Sequence, residues 1–530
     1  MPTATAGGKG KKAPKTKPGW GKSQDAPGLK SKKETQKPRF RTFAERVADV
    51  NALATRQIGY LDENIEGENM QEAYLQRTVR NLARRNRTAH FQNLVIALKP
   101  LIRTMPLIVH HMKDIVDTVL THLQMENQGA MVPILHVLGD IPRDLRAEFL
   151  PFFEKVFEVL VGLINTRRVD EMEAIFQCLS LHIKYLARYL SPRMERYVVQ
   201  FARLFVHQSY YIRQYAGETF AFLLRRLGSE EIPGGVSALM KVFKKTKRKN
   251  WETLADGLSV VLFESFRGVE RQFHSKMVDI VQASLDHTKV RPKDTPATYA
   301  ARAVIVKRAL VRARNFALTW DKFEPVVAVF VAELSRVTQQ FLDGKEQPRR
   351  VLLLLDTAMD LLQQPPVPKA PGTPHALVVQ VLKTVERVVG CARSRELVGG
   401  ESGGEADDFV YPPRPLSLVE ACSRVLVAAY GAARPTGSSG GFSRCALLLL
   451  GQGTPLALSF LRRAATRCPG LLQGNANANL QWLAERIAER GSEVSVEAAG
   501  VATVLGDVLE HCEVGTLTAK QASQVRESVG

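Results

Sequence analysis

Residues 149–227, FLPFFEKVFEVLVGLINTRRVDEMEAIFQCLSLHIKYLARYLSPRMERYVVQFARLFVHQSYYIRQYAGETFAFLLRRL, decide the fold. Apolar side chains recur here every three or four positions. Phe149, Phe152, Phe153, Val156, Phe157, Leu160 and Ile164 form one such set. Met172, Ile175, Phe176, Leu179, Ile183, Leu186 and Leu190 form the next. Met194, Tyr197, Val198, Phe201 and Phe205 follow, then Ile212, Tyr215, Ala216, Phe220, Leu223 and Leu227. Each set is one face of an amphipathic helix. No stretch of strand length alternates with period two.

Prolines add a longer rhythm. Pro151 and Pro192 are 41 residues apart, as are Pro192 and Pro233, and Pro106 lies 45 before Pro151. Proline suits a first helical turn, where its missing N–H goes unneeded. Each interval holds two helices and two short turns, the period of HEAT and armadillo arrays. One pair cannot bury its apolar face alone, so neighbours must stack. The expected fold is all-α, a HEAT/armadillo-like α-solenoid over residues 42–345. Segments 346–374 read as a weak helix and Pro-rich linker (QQPPVPKAPGTP at 363–374), and 375–530 as a helical region with Gly/Pro/Ser-rich loops at 399–408 and 435–441. Helical runs there are expected at 375–394, 416–433, 455–467, 477–490 and 495–511.

The 530 residues carry a net charge of +20, and half of it sits at one end. Residues 1–41 hold ten Lys and two Arg against one Asp and one Glu, with Trp20, Leu29 and Phe40 as their large apolar residues. Such a segment buries too little surface to offset its ordering entropy, so it reads as a disordered basic tail suited to an acidic polymer. Aromatics are 7% of the chain, which argues against a β-rich fold. No apolar run reaches membrane-spanning length, and MPTATAGGKGKKAPK does not read as a secretory signal. The six cysteines (178, 391, 422, 445, 468, 512) have no short pairing, as expected in a reducing compartment.

Catalytic motifs are not found. Gly21-Lys22-Ser23 resembles the end of a phosphate-binding loop, but Thr16 stands where the first glycine belongs. Gly451-x-Gly453 lacks the third glycine of a dinucleotide fingerprint, and no histidine or cysteine pair has zinc spacing. The expectation is no enzyme, no cofactor and no metal. Basic clusters stand out instead. Arg77, Arg80, Arg84 and Arg87 are spaced three, four and three, opposite Leu75, Val79 and Leu82 on a helical wheel. Residues 241–249 hold Lys241, Lys244, Lys245, Lys247, Arg248 and Lys249 and no acid. Residues 289–314 include Arg302, Lys307, Arg308, Arg312 and Arg314, with Asp294 as the one acid. Rows of this kind neutralise phosphates, and arginine grips phosphate oxygens in bidentate fashion. With no motif for reading bases, these residues are candidate RNA-phosphate contacts.

RFRTFAERVADVN (39–51), AYLQRTVRNLARRNRTAHFQNL (73–94), DLRAEFLPFFEKVF (144–157), AIFQCLSLHIKYLARYL (174–190) and YYIRQYAGETFAFLLRRL (210–227) occur in this order. Together they resemble the N-terminal region of the small-subunit processome component 20 family, also called the down-regulated-in-metastasis family. The resemblance covers about residues 39–290 and fades through 291–390. It implies a non-enzymatic helical-repeat scaffold of the nucleolus, in the U3 snoRNP-containing early precursor of the small ribosomal subunit. It further implies a role in pre-rRNA processing toward 18S rRNA, with pre-rRNA, U3 snoRNA and other processome proteins as partners. This chain is several-fold shorter than typical members, as a fragment or a split form of the protein would be. The alternative is a HEAT-type protein adaptor or nuclear transport receptor. Such receptors tend to be acidic, and +20 points the other way.

Overall fold

The computed structural model describes residues 40–47, 73–125, 130–164, 169–266, 274–316, 320–363, 375–398, 411–412, 414–433, 440–452, 454–468 and 471–472. Every apolar position named in 149–227 is buried except Phe152 and Met172. The helices are α1 (Tyr74–Arg85), α2 (Ala89–Leu98), α3 (Met105–His110), α4 (Met112–Gln124) and α5 (Met131–Leu145). Then come α6 (Phe153–Leu163), α7 (Val169–Leu190), α8 (Met194–Phe205), α9 (Tyr210–Leu224), α10 (Ile232–Lys241) and α11 (Trp251–Phe266). Next are α12 (His274–Asp286), α13 (Pro296–Phe316), α14 (Trp320–Leu342) and α15 (Pro348–Gln363). The last described are α16 (His375–Val389), α17 (Leu418–Ala433), α18 (Gly440–Leu450) and α19 (Thr454–Arg467). The prolines mark helix starts as their chemistry requires. Pro106 and Pro233 lie in the first turns of α3 and α10. Pro151 and Pro192 lie in 3-10 turns that lead into α6 and α8.

Packing follows one rule: a helix rests on the helix two places along the chain. One row runs α5, α7, α9, α11, α13, α15, α17, α19, with α1 against α5. The other row runs α8, α10, α12, α14, α16, α18. Before it, α2 packs on α4 and α4 on α6, and Phe153 and Phe157 of α6 meet Tyr197 and Phe201 of α8 at ring-centre distances of 5.4 and 4.5 Å. Two rows of stacked helices make this an all-α solenoid. Phe220 of α9 faces Phe201 and Phe205 of α8 at 4.6 and 5.6 Å, closing the core between the rows. The stack runs on through α15, α16 and α17, flanking the proline-rich 363–374 segment. The one sheet among the described residues is a two-residue antiparallel pair, Leu397–Val398 against Leu416–Ser417.

The tail expected at 1–41 (apart from its last two residues), most of the proline-rich segment, the loop at 399–408, all but the end of the loop at 435–441 and the helical runs expected at 477–490 and 495–511 lie outside the described residues.

One close approach sets the row spacing. A Cβ on Gly257 of α11 would sit 2.7 Å from the Phe205 carbonyl oxygen and 3.1 Å from its Cα, both backbone atoms of α8. Neither can swing aside, so Gly257→Ala must push helices apart. Overpacking of this kind costs about 1–3 kcal/mol. A Cβ on exposed Gly162 of α6 would meet nothing within 4 Å. Gly162→Ala should raise stability by about 0.5–1 kcal/mol through helix propensity. Urea midpoints of the two variants should therefore move in opposite directions.

Candidate nucleic-acid interface

The first basic row is built on α1. Leu75 and Val79 are buried, and α1 packs on α5. Its start is held by side chains rather than by its own cap residue, Ala73. The Asp144 carboxylate accepts from the Tyr74 and Leu75 N–H groups at 3.0 and 2.8 Å. Gln76 donates to the carbonyls of Ile102 and Arg103, both at 2.6 Å, and accepts from the Ala73 N–H at 2.8 Å. Thr78 donates to Asp140 at 2.6 Å, and the Arg143 guanidinium lies 3.3 Å over the Tyr74 ring. These ties fix how α1 is rotated. Arg77, Arg80 and Arg84 are exposed, as is Arg85, which spacing alone had left out. Arg87 is exposed too, but off the helix. The backbone turns extended at Asn86, so the wheel drawn through residue 87 runs past the end of α1. Arg77, Arg84, Arg85 and Arg87 make no ion pair with another described residue.

Asp144 makes this anchor sensitive to pH. Burial pushes its carboxyl up to about 6, against the opposing pull of the two N–H donors. A raised carboxyl pKa means the folded chain binds the proton more tightly than the unfolded one. Its contribution is full below the unfolded value near 3.8 and is lost as pH rises through about 6. Asp144→Asn keeps one acceptor and removes the titration. The stability of wild type relative to Asp144→Asn should fall by up to about 3 kcal/mol between pH 4 and pH 7. Urea melts at the two pH values check it, and a constant difference would contradict it.

The second cluster surrounds a loop. Lys241 ends α10 and pairs with Glu195 at 3.1 Å. Lys244 and Lys245 lie on the 3-10 turn Val242–Lys245. Lys247, Arg248 and Lys249 are exposed. The loop is fastened by Trp251, whose indole N–H donates to the Thr246 carbonyl at 3.2 Å and whose ring meets Phe243 edge-on at 5.2 Å. The Arg248 guanidinium stands 5.9 Å from the Trp251 ring centre.

The third cluster is placed differently: two of its cations are buried and three are engaged within the chain. Helix α13 is covered by α11 on one side and α15 on the other. Arg302 is 4% exposed and paired with Asp294, and Arg314 is 1% exposed. Lys307 lies between Asp356 and Asp360 of α15, the latter at 2.9 Å. Arg308 pairs with Glu252 of α11. Arg312 donates to the Tyr210 hydroxyl at 2.9 Å and stands 5.2 Å from the Phe263 ring centre. Lys307, Arg308 and Arg312 thus join helices of one row, while Arg302 is tied to the loop before α13.

Two residues outside the expected set are presented to solvent. Tyr210 and Tyr211 open α9 at 46% and 51% exposure, edge to face at 6.0 Å, with Arg312 beside Tyr210. The sequence held a clue. Neighbouring residues on a helix point about 100° apart, so two adjacent tyrosines cannot both face a one-sided core. The two rings and the Arg312 guanidinium lie together at the surface.

Among the described residues no three His, Cys, Asp or Glu side chains gather as a metal site, and no helix is long and apolar enough to cross a membrane. Cys178 is buried and its thiol is pushed well up by desolvation. His182 is buried against Phe149 at 5.1 Å, and burial lowers its pKa to about 4, so it is a neutral core residue.

No protein-family model matches the chain. Over 269 residues it is 23% identical to U3 small nucleolar RNA-associated protein 20 of Saccharomyces cerevisiae. The chain is similar to that protein. The match takes in 49% of the chain and 10% of the yeast protein. U3 small nucleolar RNA-associated protein 20 of Schizosaccharomyces pombe is 26% identical over 155 residues, 29% of the chain and 6% of the relative. The chain thus matches about a tenth or less of the length of these curated relatives. Among solved structures, Kap121p superposes with a TM-score of 0.33 and 10% identity, over 86% of this chain and 51% of that one. An engineered protein superposes with a TM-score of 0.28 and 12% identity, over 82% of this chain and 98% of that one. Both superpositions are loose, and the fold rests on the two packed rows themselves.

Proposed function

We propose that the chain is a non-enzymatic scaffold of the small-subunit processome, the 90S pre-ribosome, and holds precursor rRNA during processing toward 18S rRNA in the nucleolus. Pre-rRNA is the RNA partner, U3 snoRNA a second, and other processome proteins share the helix rows. The observation that carries the RNA part is the exposed arginine set of α1 and its turn, anchored on its other side and without an acid on the helix. The candidate phosphate contacts are Arg77, Arg80, Arg84, Arg85, Arg87, Lys247, Arg248 and Lys249, with Lys241, Lys244 and Lys245 beside them. Tyr210 and Tyr211 add a place for an unpaired base. The similarity to U3 small nucleolar RNA-associated protein 20 supports the assembly in which this RNA is met. The mechanism is geometric: cations on fixed helices hold phosphates at fixed separations without reading sequence.

The test is to crosslink the tagged chain to RNA in cells and sequence what is recovered. Enrichment of pre-rRNA over mature rRNA is expected. Recovery no different from an untagged control would end the reading.

A further inference from the structure

Residues 41–47 (RTFAERV) lie against α7 and α9, helices more than 120 positions further along the chain. The segment makes its own helical turn. Thr42 and Glu45 cap each other, the Thr42 N–H donating to the Glu45 carboxylate at 2.7 Å and the Glu45 N–H to the Thr42 hydroxyl at 3.2 Å. Arg46 then enters a built pocket. Its side chain is 2% exposed and grips Glu173 of α7 with two bonds of 3.0 Å. Its guanidinium lies 5.2 Å from the Phe176 ring centre and 5.4 Å from that of Tyr215, two rings stacked at 4.2 Å and 8°. The pocket also reads backbone. Gln177 donates to the Arg46 carbonyl at 2.9 Å, and Glu218 of α9 accepts from the Phe43 N–H at 2.7 Å. Phe43 packs on Phe222 at 4.7 Å, and Arg41 adds a bond of 2.9 Å to Glu173.

We propose that this face of α7 and α9 is a peptide-recognition site for an arginine-phenylalanine segment, and that it takes residues 41–47 of a second copy when its own segment is displaced. The contacts single out particular groups of the segment. A bidentate carboxylate and two rings read the arginine, a third ring reads the phenylalanine, and two side chains read the main chain. The segment reaches the site from a distance, with 25 residues between Val47 and Ala73. Without it, Glu173 loses both of its cationic partners among the described residues. A partly buried carboxylate beside the stacked Phe176 and Tyr215 rings is then left for another arginine. The inference does not depend on the RNA reading.

A fluorescent peptide of residues 39–51 tests it on full-length chains. In wild type the chain's own segment competes at high effective concentration. In Arg46→Ala the chain's own segment loses its buried arginine and competes less, and the peptide should bind at least tenfold more tightly than to wild type. Adding Glu173→Ala to that chain should abolish binding. No binding to the Arg46→Ala chain, or equal binding with and without Glu173, would overturn the proposal. Hydrogen exchange of the wild-type chain gives a second reading that needs no variant. The Phe43 amide should exchange well before those of Phe176 and Tyr215, because the segment opens without the helices. Exchange of all three together would make the segment part of the core and overturn the proposal equally.

Discussion

Alanine at Arg77, Arg80, Arg84 and Arg87 together should lower affinity for structured RNA on the order of a hundredfold at low salt and flatten its salt dependence. Each phosphate neutralised on a duplex contributes roughly 0.9 to the slope of log affinity against log salt. Losing four contacts should reduce the slope by about 3.6. The fold should be untouched, since all four side chains are exposed and surface changes usually stay within about 0.5 kcal/mol. Lysine at the same positions should keep most of the slope while losing bidentate grip. Alanine at Arg302 and Lys307 should do the reverse, lowering the melting temperature with little change in the salt slope. Their partners are Asp294, Asp356 and Asp360 within the chain. Fluorescence anisotropy at several salt concentrations, beside thermal melts, separates the two outcomes.

Arg350→Ala should be among the most destabilising single changes in the chain, by about 3–5 kcal/mol. Arg350 is fully buried in α15 and joins three helices. It pairs with Glu333 of α14 and with Glu346 at 2.7 Å, and donates to the Leu285 carbonyl and the Thr288 hydroxyl, each at 3.3 Å, at the end of α12. Glu333 is 1% exposed at its side chain, and its other cationic partner is Arg336, at 2.6 Å. Truncating Arg350 removes the buried partner of Glu333 and leaves that carboxylate to the half-exposed Arg336 alone, whereas removing both charges need not. Arg350→Met with Glu333→Leu should recover most of the loss, because apolar residues of similar size often replace a buried ion pair at little cost. Urea midpoints of the single and double variants check this. Equal losses would show that packing rather than the carboxylate's lost partner is responsible.

The solenoid was legible because its signals are local. The stripes from Phe149 to Leu227 and the prolines at 151, 192 and 233 report helix faces and helix starts within a few residues of themselves. The arginine row was legible for the same reason as far as Arg84. Its end was not, since the extended backbone at Asn86 breaks the wheel before Arg87. The third cluster misled in part because the acids that engage Lys307 and Arg308 are distant. Glu252 lies 56 residues before Arg308, and Asp356 lies 49 after Lys307. Helix α13 also carries small residues at Ala297, Ala300, Ala301, Ala303, Ala309 and Ala313, all buried. They let α11 and α15 close in, and Lys307 and Arg308 come within reach of acids on those helices as a result. Arg46 was hidden likewise, with its carboxylate 127 residues away.

The most direct test is ultraviolet crosslinking of the full chain to pre-rRNA fragments, followed by mapping of the crosslinked peptides by mass spectrometry. Adducts are expected in 74–87, in 247–249 and at Tyr210 or Tyr211, with none in α13. Adducts concentrated at 302–314, with 74–87 clean, would mean that the cations packed between helices meet the RNA and that those on the open face do not.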